Sequence, residues 1–333
     1  MTSSVSVGVP TYNQADYLAE TLDSLLAQEV APLEIVVSEN HCTDGTSRVL
    51  EAYADRVRIV RPERHLPMAA NWNFLLARMR GEWAVLLSSD DVAKPGYVAA
   101  LARGIRRHSR AVLVRGNLER IDAAGARLGG WRYRGPRVAA YPQNLAEQIG
   151  APRTRFGAAA WRREAWEQAG GFPEELVLTA DWALWLRLAP LGPFVHEPEV
   201  VLCYREAHRP PEAEARRMSA WITDMQRLYE EVLPPLVSAA SLSTAETRTA
   251  ARQSCLAILR RGQESVPVRD RPPLVDLISD WATTCGLEGF LESFARGGTI
   301  PRKGYGPLRS AVSRVAGGFK RLRYRLGLAR PRP

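Results

Sequence analysis

Short apolar runs rich in Val, Ile and Leu alternate with amphipathic stretches through the first 115 residues. Strands are predicted at 5–9, 33–37, 57–60, 83–87 and 112–115. Between the first two, Leu18, Leu22 and Leu25 recur at intervals of four and three, one face of a helix. Further helices fit 46–54, 69–80 and 96–108. Strand-helix alternation of this kind predicts an α/β fold, a mainly parallel sheet flanked by helices. Ligands of such sheets bind beyond the carboxyl ends of the strands. Those ends read Pro10-Thr11-Tyr12-Asn13, Ser38-Glu39-Asn40 and Ser88-Ser89-Asp90-Asp91.

The pattern then weakens. Residues 116–156 are rich in Gly, Arg and Pro, and predict a loop region with weak strands. A helix over 163–170, a Gly-Gly-Phe-Pro turn, a helix over 182–188 and a strand over 195–204 follow. From 210 to 296 the periodicity is helical. Ser243 and Glu246 have capping-box spacing, and Gly286 is placed to stop the helix holding Ile278 and Trp281. The expected organisation is a domain over 1–209, with a nucleotide-binding half at 1–115 and an acceptor half at 116–209. A helical subdomain at 210–300 and a basic tail at 301–333 follow it.

Composition alters this picture at one place. The chain of 333 residues carries a formal charge of +9, and ten basic residues with no acid lie between Arg302 and Arg332. They account for the whole excess, so the body is near neutral, which argues against a nucleic-acid partner. The four cysteines are scattered and form no CxxC pair, which predicts neither a zinc site nor a disulfide framework, and a reducing cytoplasm. No secretory signal and no membrane-spanning segment are expected.

Asp90 and Asp91 are the first candidates for chemistry. Adjacent carboxylates beside an apolar strand repel each other unless a positive charge is near. A divalent cation on a diphosphate answers that need, since Mg²⁺ is held by one or two carboxylates plus phosphate oxygens. A surface turn before Pro95 is the plainer alternative for the dipeptide alone.

The order of motifs adds to this. Val9-Pro10-Thr11-Tyr12-Asn13, Val36-Val37-Ser38-Glu39-Asn40-His41-Cys42-Thr43-Asp44-Gly45-Thr46, Asn71-Trp72-Asn73 and Leu87-Ser88-Ser89-Asp90-Asp91 resemble glycosyltransferase family 2. Arg162-Arg163-Glu164, Gly170-Gly171-Phe172 and Ala180-Asp181-Trp182 continue the resemblance, which covers about residues 5–205. It implies a GT-A fold, Rossmann-like, and an inverting, metal-dependent transfer of a sugar from a nucleotide diphosphosugar to a hydroxyl acceptor in glycan or surface-polysaccharide synthesis. Pro10, Thr11, Tyr12, Asn13, Glu39, Asp44, Asn71, Ser89, Asp90 and Asp91 would form the donor site. Thr11 and Glu39 would meet base and ribose, with Asp44 closing the pocket. Glu39 stands where the family more often has aspartate, and Ser88 replaces the first acid of the DxD motif. Asp90 matches the second acid, the expected ligand of Mn²⁺ or Mg²⁺, with Asp91 and His208 as further metal ligands. The donor implied is a UDP-sugar first, with dTDP- or GDP-sugars as alternatives, and the acceptor a glycan or lipid-linked molecule.

Asp181 matches the family's catalytic base. A positioned carboxylate that takes a hydroxyl proton contributes about 10²–10⁴ in rate, and a plain helix N-cap is the alternative. Of Trp131, Trp161, Trp182 and Trp185, all able to stack on sugars, Trp182 is the acceptor candidate. The turn after the first strand has no glycine, which excludes the GxGxxG fingerprint of dinucleotide-binding oxidoreductases. A nucleotidyltransferase would need a Gly-rich basic phosphate loop that is likewise missing. A non-catalytic scaffold of the same fold remains the other class.

In the tail, Leu308, Val312, Val315, Phe319, Leu322 and Leu326 share one helical face, and Arg309, Arg314, Lys320, Arg321, Arg323 and Arg325 occupy other positions with no acid among them. This is the pattern of an interfacial helix on an anionic membrane surface, peripheral on the inner face of the plasma membrane. A helix packed on the enzyme body is the alternative.

Overall fold

The computed structural model describes residues 5–206 and 211–298, which form two compact units. The first comprises 5–141 and 153–206. Its strands are β1 (Val5–Thr11), β2 (Glu34–Glu39), β3 (Arg58–Val60), β4 (Trp83–Leu86), β5 (Val92–Ala93), β6 (Leu113–Ile121), β7 (Arg127–Trp131), β8 (Val138–Ala139), β9 (Ala159–Arg162) and β10 (Phe194–Arg205). They make one sheet in the order β3-β2-β1-β4-β9-β6-β10-β5, with β7 on β6 and β8 on β10. The first four strands are mutually parallel. β9 runs antiparallel between β4 and β6, and β10 is parallel to β6.

Helices α1 (Ala15–Leu26), α2 (Thr46–Glu51), α3 (Met68–Leu76) and α4 (Tyr97–Arg107) follow the early strands as the sequence predicts. Val5, Val7 and Val9 on one side of β1, and Leu18, Leu22 and Leu25 on α1, are all fully buried in one core. The period-two spacing of the three valines is that of one face of a strand, and it carries the sequence signal of β1.

Two expectations change. The stretch after 115 is no loop: β6 runs nine residues and turns back through β7. Residues 142–152, expected within the acceptor half, belong instead to the second unit, where α5 (Gln143–Gln148) lies. The first unit closes with α6 (Arg163–Gln168) and α7 (Ala180–Leu188).

The second unit adds α8 (Pro211–Arg227), α9 (Leu233–Ala239), α10 (Thr244–Ser265), α11 (Pro272–Thr284) and α12 (Glu288–Ala295). Gly286 ends α11 at φ +64, with its own N–H on Thr283 and that of Leu287 on Ala282, the left-handed stop that glycine accepts without strain. Tyr229 holds the 142–152 segment by donating to the Ile149 carbonyl at 2.7 Å. Among the described residues no helix is long and apolar enough to cross a membrane. The tail and His208 lie outside the described residues.

Candidate functional site

The carboxyl ends of β1, β2 and β4 gather the first group of expected residues. Tyr12 leaves β1 with its ring 45% exposed and tilted against His65 at a centroid distance of 4.4 Å. His65 is fixed in turn through Nδ1 and the Asn40 carbonyl, 3.0 Å apart. Asn13 adopts φ +52, and its Oδ1 accepts from the Thr43 amide at 2.8 Å, which joins the two loops. The Thr11 hydroxyl is buried and has no partner. A buried hydroxyl without a hydrogen bond costs about 1–3 kcal/mol, so this group marks a place where a ligand atom would be stabilising. Pro10 is half-buried at the end of the same strand, and Ser89 is buried in the β4 turn.

Several motif residues are occupied by the protein itself. Glu39 accepts from the Cys42 amide at 2.6 Å, and its other oxygen pairs with Arg61. Burial works to raise its pKa, yet Arg61 and the Cys42 amide hold it below the usual carboxylate range. The base contact expected of Glu39 is therefore spent on organising the β2 loop, and the Arg61 guanidinium, 56% exposed, covers the carboxylate. Asp44 accepts from the Thr46 amide at 2.9 Å and the Ala15 amide at 3.1 Å, tying the first turns of α2 and α1 together. Asn71 is buried and accepts from the Ser38 hydroxyl at 2.6 Å. Asn73 bonds both the amide and the carbonyl of Phe172, anchoring the Gly-Gly-Phe turn.

The Asp90-Asp91 pair separates in an instructive way. Asp91 is 1% exposed, its Oδ1 accepts from the Arg205 amide at 2.9 Å, and its Oδ2 is buried. Burial, with Asp90's charge adding to it, pushes this carboxyl well above the usual range. Asp91 is thus buried against the Arg205 amide, and little of its side chain is exposed for the metal and donor contacts expected of it. Asp90 is half-buried in the turn just beyond β4. Its carbonyl accepts from Arg205 Nε at 2.8 Å. The same guanidinium donates to the Asp122 and Ala123 carbonyls and to Glu20. Arg205 is thereby the buried cation that fixes the acidic turn. Gly157, at φ +78, lets the chain pass close to this turn; an added Cβ would lie 3.5 Å from Asp91 Oδ2 and 3.0 Å from Leu202.

Among the described residues no three His, Cys, Asp or Glu side chains cluster as a metal cage. A divalent cation nevertheless fits what is present, because the half-buried carboxylate of Asp90 combined with diphosphate oxygens is an ordinary Mg²⁺ donor set.

Asp181 lies in the first turn of α7, and its Oδ1 accepts from the Trp182 amide at 2.7 Å. Protein crowds the carboxylate, while part of the residue's surface still reaches solvent. Desolvation raises its pKa to about 6 against the opposing pull of the Trp182 amide and Arg155. Trp182, the acceptor candidate, is 4% exposed, and Trp161 and Trp185 are fully buried, because α7 packs nearly its whole surface into the core. Trp131, half-buried on β7, is the one of the four with exposed ring surface.

Comparison with known proteins agrees with this geometry. The family model described as glycosyl transferase family 2 matches residues 6–170. Chondroitin synthase of Escherichia coli is 26% identical over 204 residues, 60% of this chain and 28% of that protein. The succinoglycan biosynthesis protein ExoO of Rhizobium meliloti is 31% identical over 125 residues, 37% of this chain and 31% of that protein. The chain thus spans about a third of the length of the curated relatives it matches. Among solved structures, S. aureus TarS 1-349 in complex with UDP-GlcNAc superposes with a TM-score of 0.56 at 17% identity, covering 90% of this chain and 93% of that one. The mannosyltransferase PcManGT from Pyrobaculum calidifontis, in complex with GDP-Man and Mn²⁺, gives 0.51 at 20% identity over 89% and 87%.

Proposed function

Because residues 6–170 are a glycosyl transferase family 2 domain on a GT-A fold, we propose that this chain transfers a sugar, with inversion, from a nucleotide diphosphosugar to a hydroxyl of a glycan or lipid-linked acceptor. The observation that carries the proposal is Asp181, a carboxylate in the first turn of α7 with a pKa raised to about 6. Such a group is ionised at neutral pH yet basic enough to take a proton in the transition state.

The donor's base would lie against Tyr12 and His65, with its ribose toward the Thr11 hydroxyl. The acceptor hydroxyl would attack the anomeric carbon as its proton passes to Asp181, while the bond to the diphosphate breaks on the opposite face. One in-line displacement of this kind inverts the anomeric centre. Asp90 would hold Mn²⁺ or Mg²⁺, whose chemistry is to neutralise diphosphate charge. A neighbour crystallised with GDP-Man and Mn²⁺ supports that assignment by its fold.

A thermal-shift screen of UDP-, GDP-, dTDP- and CDP-sugars with and without Mn²⁺ tests the donor assignment. A true donor at 100 times its Kd should stabilise the protein by about 2.7 kcal/mol. No shift with any of them would overturn it.

The arginine-rich residues 302–332 extend the proposal to a cytoplasmic protein held at the inner face of the plasma membrane. Full-length protein is expected to sediment with anionic liposomes at low salt, and protein truncated after Ile300 is not. Equal sedimentation of the two, or none by either, would remove the membrane contact from the proposal.

A further inference from the structure

Beside Asp181 the structure holds a cation that no motif announces. Arg155 sits between β8 and β9, and its guanidinium lies over the Trp131 ring, 5.2 Å from the centroid. Its side chain keeps an exposed flank while the charged end is crowded by protein, and that crowding lowers its pKa. Asp181 and Tyr204 both act on its charge, and Arg153 opposes them.

The surroundings of Arg155 are those of the proposed transfer centre. Two residues on, Gly157 packs against Asp91 Oδ2, and its carbonyl accepts from the Tyr97 hydroxyl at 2.6 Å. Tyr204 precedes Arg205, whose amide and guanidinium bind the Asp90-Asp91 turn. Segments 155–157, 204–205 and 90–91 therefore meet, with Asp181 within electrostatic reach. Two carboxylates belong to this neighbourhood: Asp181, whose charge acts on Arg155, and Asp90, whose carbonyl is held by the Arg205 guanidinium. A diphosphate entering it adds more negative charge, and water cannot fully screen charges in so crowded a setting. Arg155 is the cation positioned to offset them. Its aromatic seat pre-orients the planar guanidinium, whose paired N–H groups match phosphate oxygens better than a lysine would.

We propose that Arg155, carried on Trp131, is a phosphate-contacting residue of the transfer site. The phosphate comes from the nucleoside diphosphate that leaves the sugar or from a phosphate-bearing acceptor. The assignment rests on the donor reading given above. In the step itself the acceptor O–H attacks the anomeric carbon and its proton goes to Asp181. The electron pair of the breaking C–O bond stays on the terminal phosphate oxygen of the nucleoside diphosphate. The N–H groups of Arg155 donate to the phosphate on which that charge collects. No other reactant is consumed.

The test uses full-length protein, the nucleoside diphosphate selected by the thermal-shift screen, its monophosphate, and inorganic pyrophosphate as a base-free probe. Titration calorimetry on wild type, R155Q and R155K gives the affinities, and melting temperatures report folding. For the donor diphosphate, R155Q is expected to weaken nucleoside diphosphate and pyrophosphate binding by roughly 10–100-fold, the range of a charge-assisted hydrogen bond. Monophosphate affinity and melting temperature stay at wild-type values, and R155K recovers part of the loss. For an acceptor phosphate, R155Q keeps its diphosphate affinity but raises KM for a phosphorylated acceptor and not for its neutral analogue. Unchanged affinities together with an unchanged acceptor KM would overturn the proposal. So would equal losses in R155Q and R155K accompanied by a fall in melting temperature. If wild type itself binds no nucleoside diphosphate, it is the donor reading that fails.

Discussion

Asp181→Asn is expected to lower kcat by about 10²–10⁴ while leaving donor and nucleoside diphosphate affinity at wild-type values. Asparagine fills the same space at the start of α7 and can still accept from the Trp182 amide, now 2.7 Å from Oδ1, so the fold loses little. What it cannot do is take the acceptor's proton. The loss falls on the transition state, which places it in kcat rather than in donor binding. The pH profile supplies a second readout. The raised pKa means that the base is protonated, and inactive, below about pH 6 and ionised above it. In wild type kcat/KM should rise with pH through a step near 6, and residual activity of the variant should lack that step. Stability runs the other way. A carboxyl whose folded pKa lies above its unfolded one contributes stability below the unfolded value and loses it as pH rises through about 6. The asparagine variant should therefore melt higher than wild type at pH 7–8, with the gap closing toward pH 4. Wild-type kcat in the variant, or a product of retained anomeric configuration, would remove Asp181 from the role of base.

How much of this was legible in the sequence depends on how local each signal is. β2 and β4 declare themselves by their runs of β-branched and apolar residues, β1 by the alternation of Val5, Val7 and Val9, and α1 because its buried residues share one face. β9 does not. Ala159–Arg162 offers two alanines where β-branched residues would be the usual sign, yet it fills the gap between β4 and β6. The long β6 is hidden by Gly116, Asn117 and the charged Glu119-Arg120 in its second half. At the site, Asp90 and Asp181 are found by motif order, since each stands where its element begins or ends. The state of each side chain is another matter. Asp91 turns inward because the Arg205 amide, 114 residues away, awaits it. Glu39 is spent because Arg61 reaches it, and Trp182 is core because α7 is packed on nearly every side. Arg155 acquires its meaning from Trp131 and Asp181, neither of which is near it in sequence. Motifs locate chemistry; burial and pairing decide how each member of a motif is held.

The acidic turn gives the sharpest test of that distinction, because two adjacent aspartates should behave oppositely. Asp90→Asn is expected to abolish the Mn²⁺- or Mg²⁺-dependent part of nucleotide binding and to lower kcat/KM by about 10³-fold, as loss of several kcal/mol of charge stabilisation implies. Asp91→Asn should keep the metal dependence of nucleotide binding. Asparagine retains the acceptor that Oδ1 presents to the Arg205 amide, and no other hydrogen bond of the buried side chain is given up. Removing a carboxyl whose ionisation is opposed by burial and by Asp90 leaves the charge of Asp90 in place. Calorimetric titration of nucleoside diphosphate with and without Mn²⁺ separates the two variants, since a misfolded turn would weaken metal-free binding as well. If both substitutions erase the metal dependence alike, the inward orientation of Asp91 does not describe the working enzyme. If neither does, Asp90 is not the ligand, and the cation must be held by residues beyond this turn.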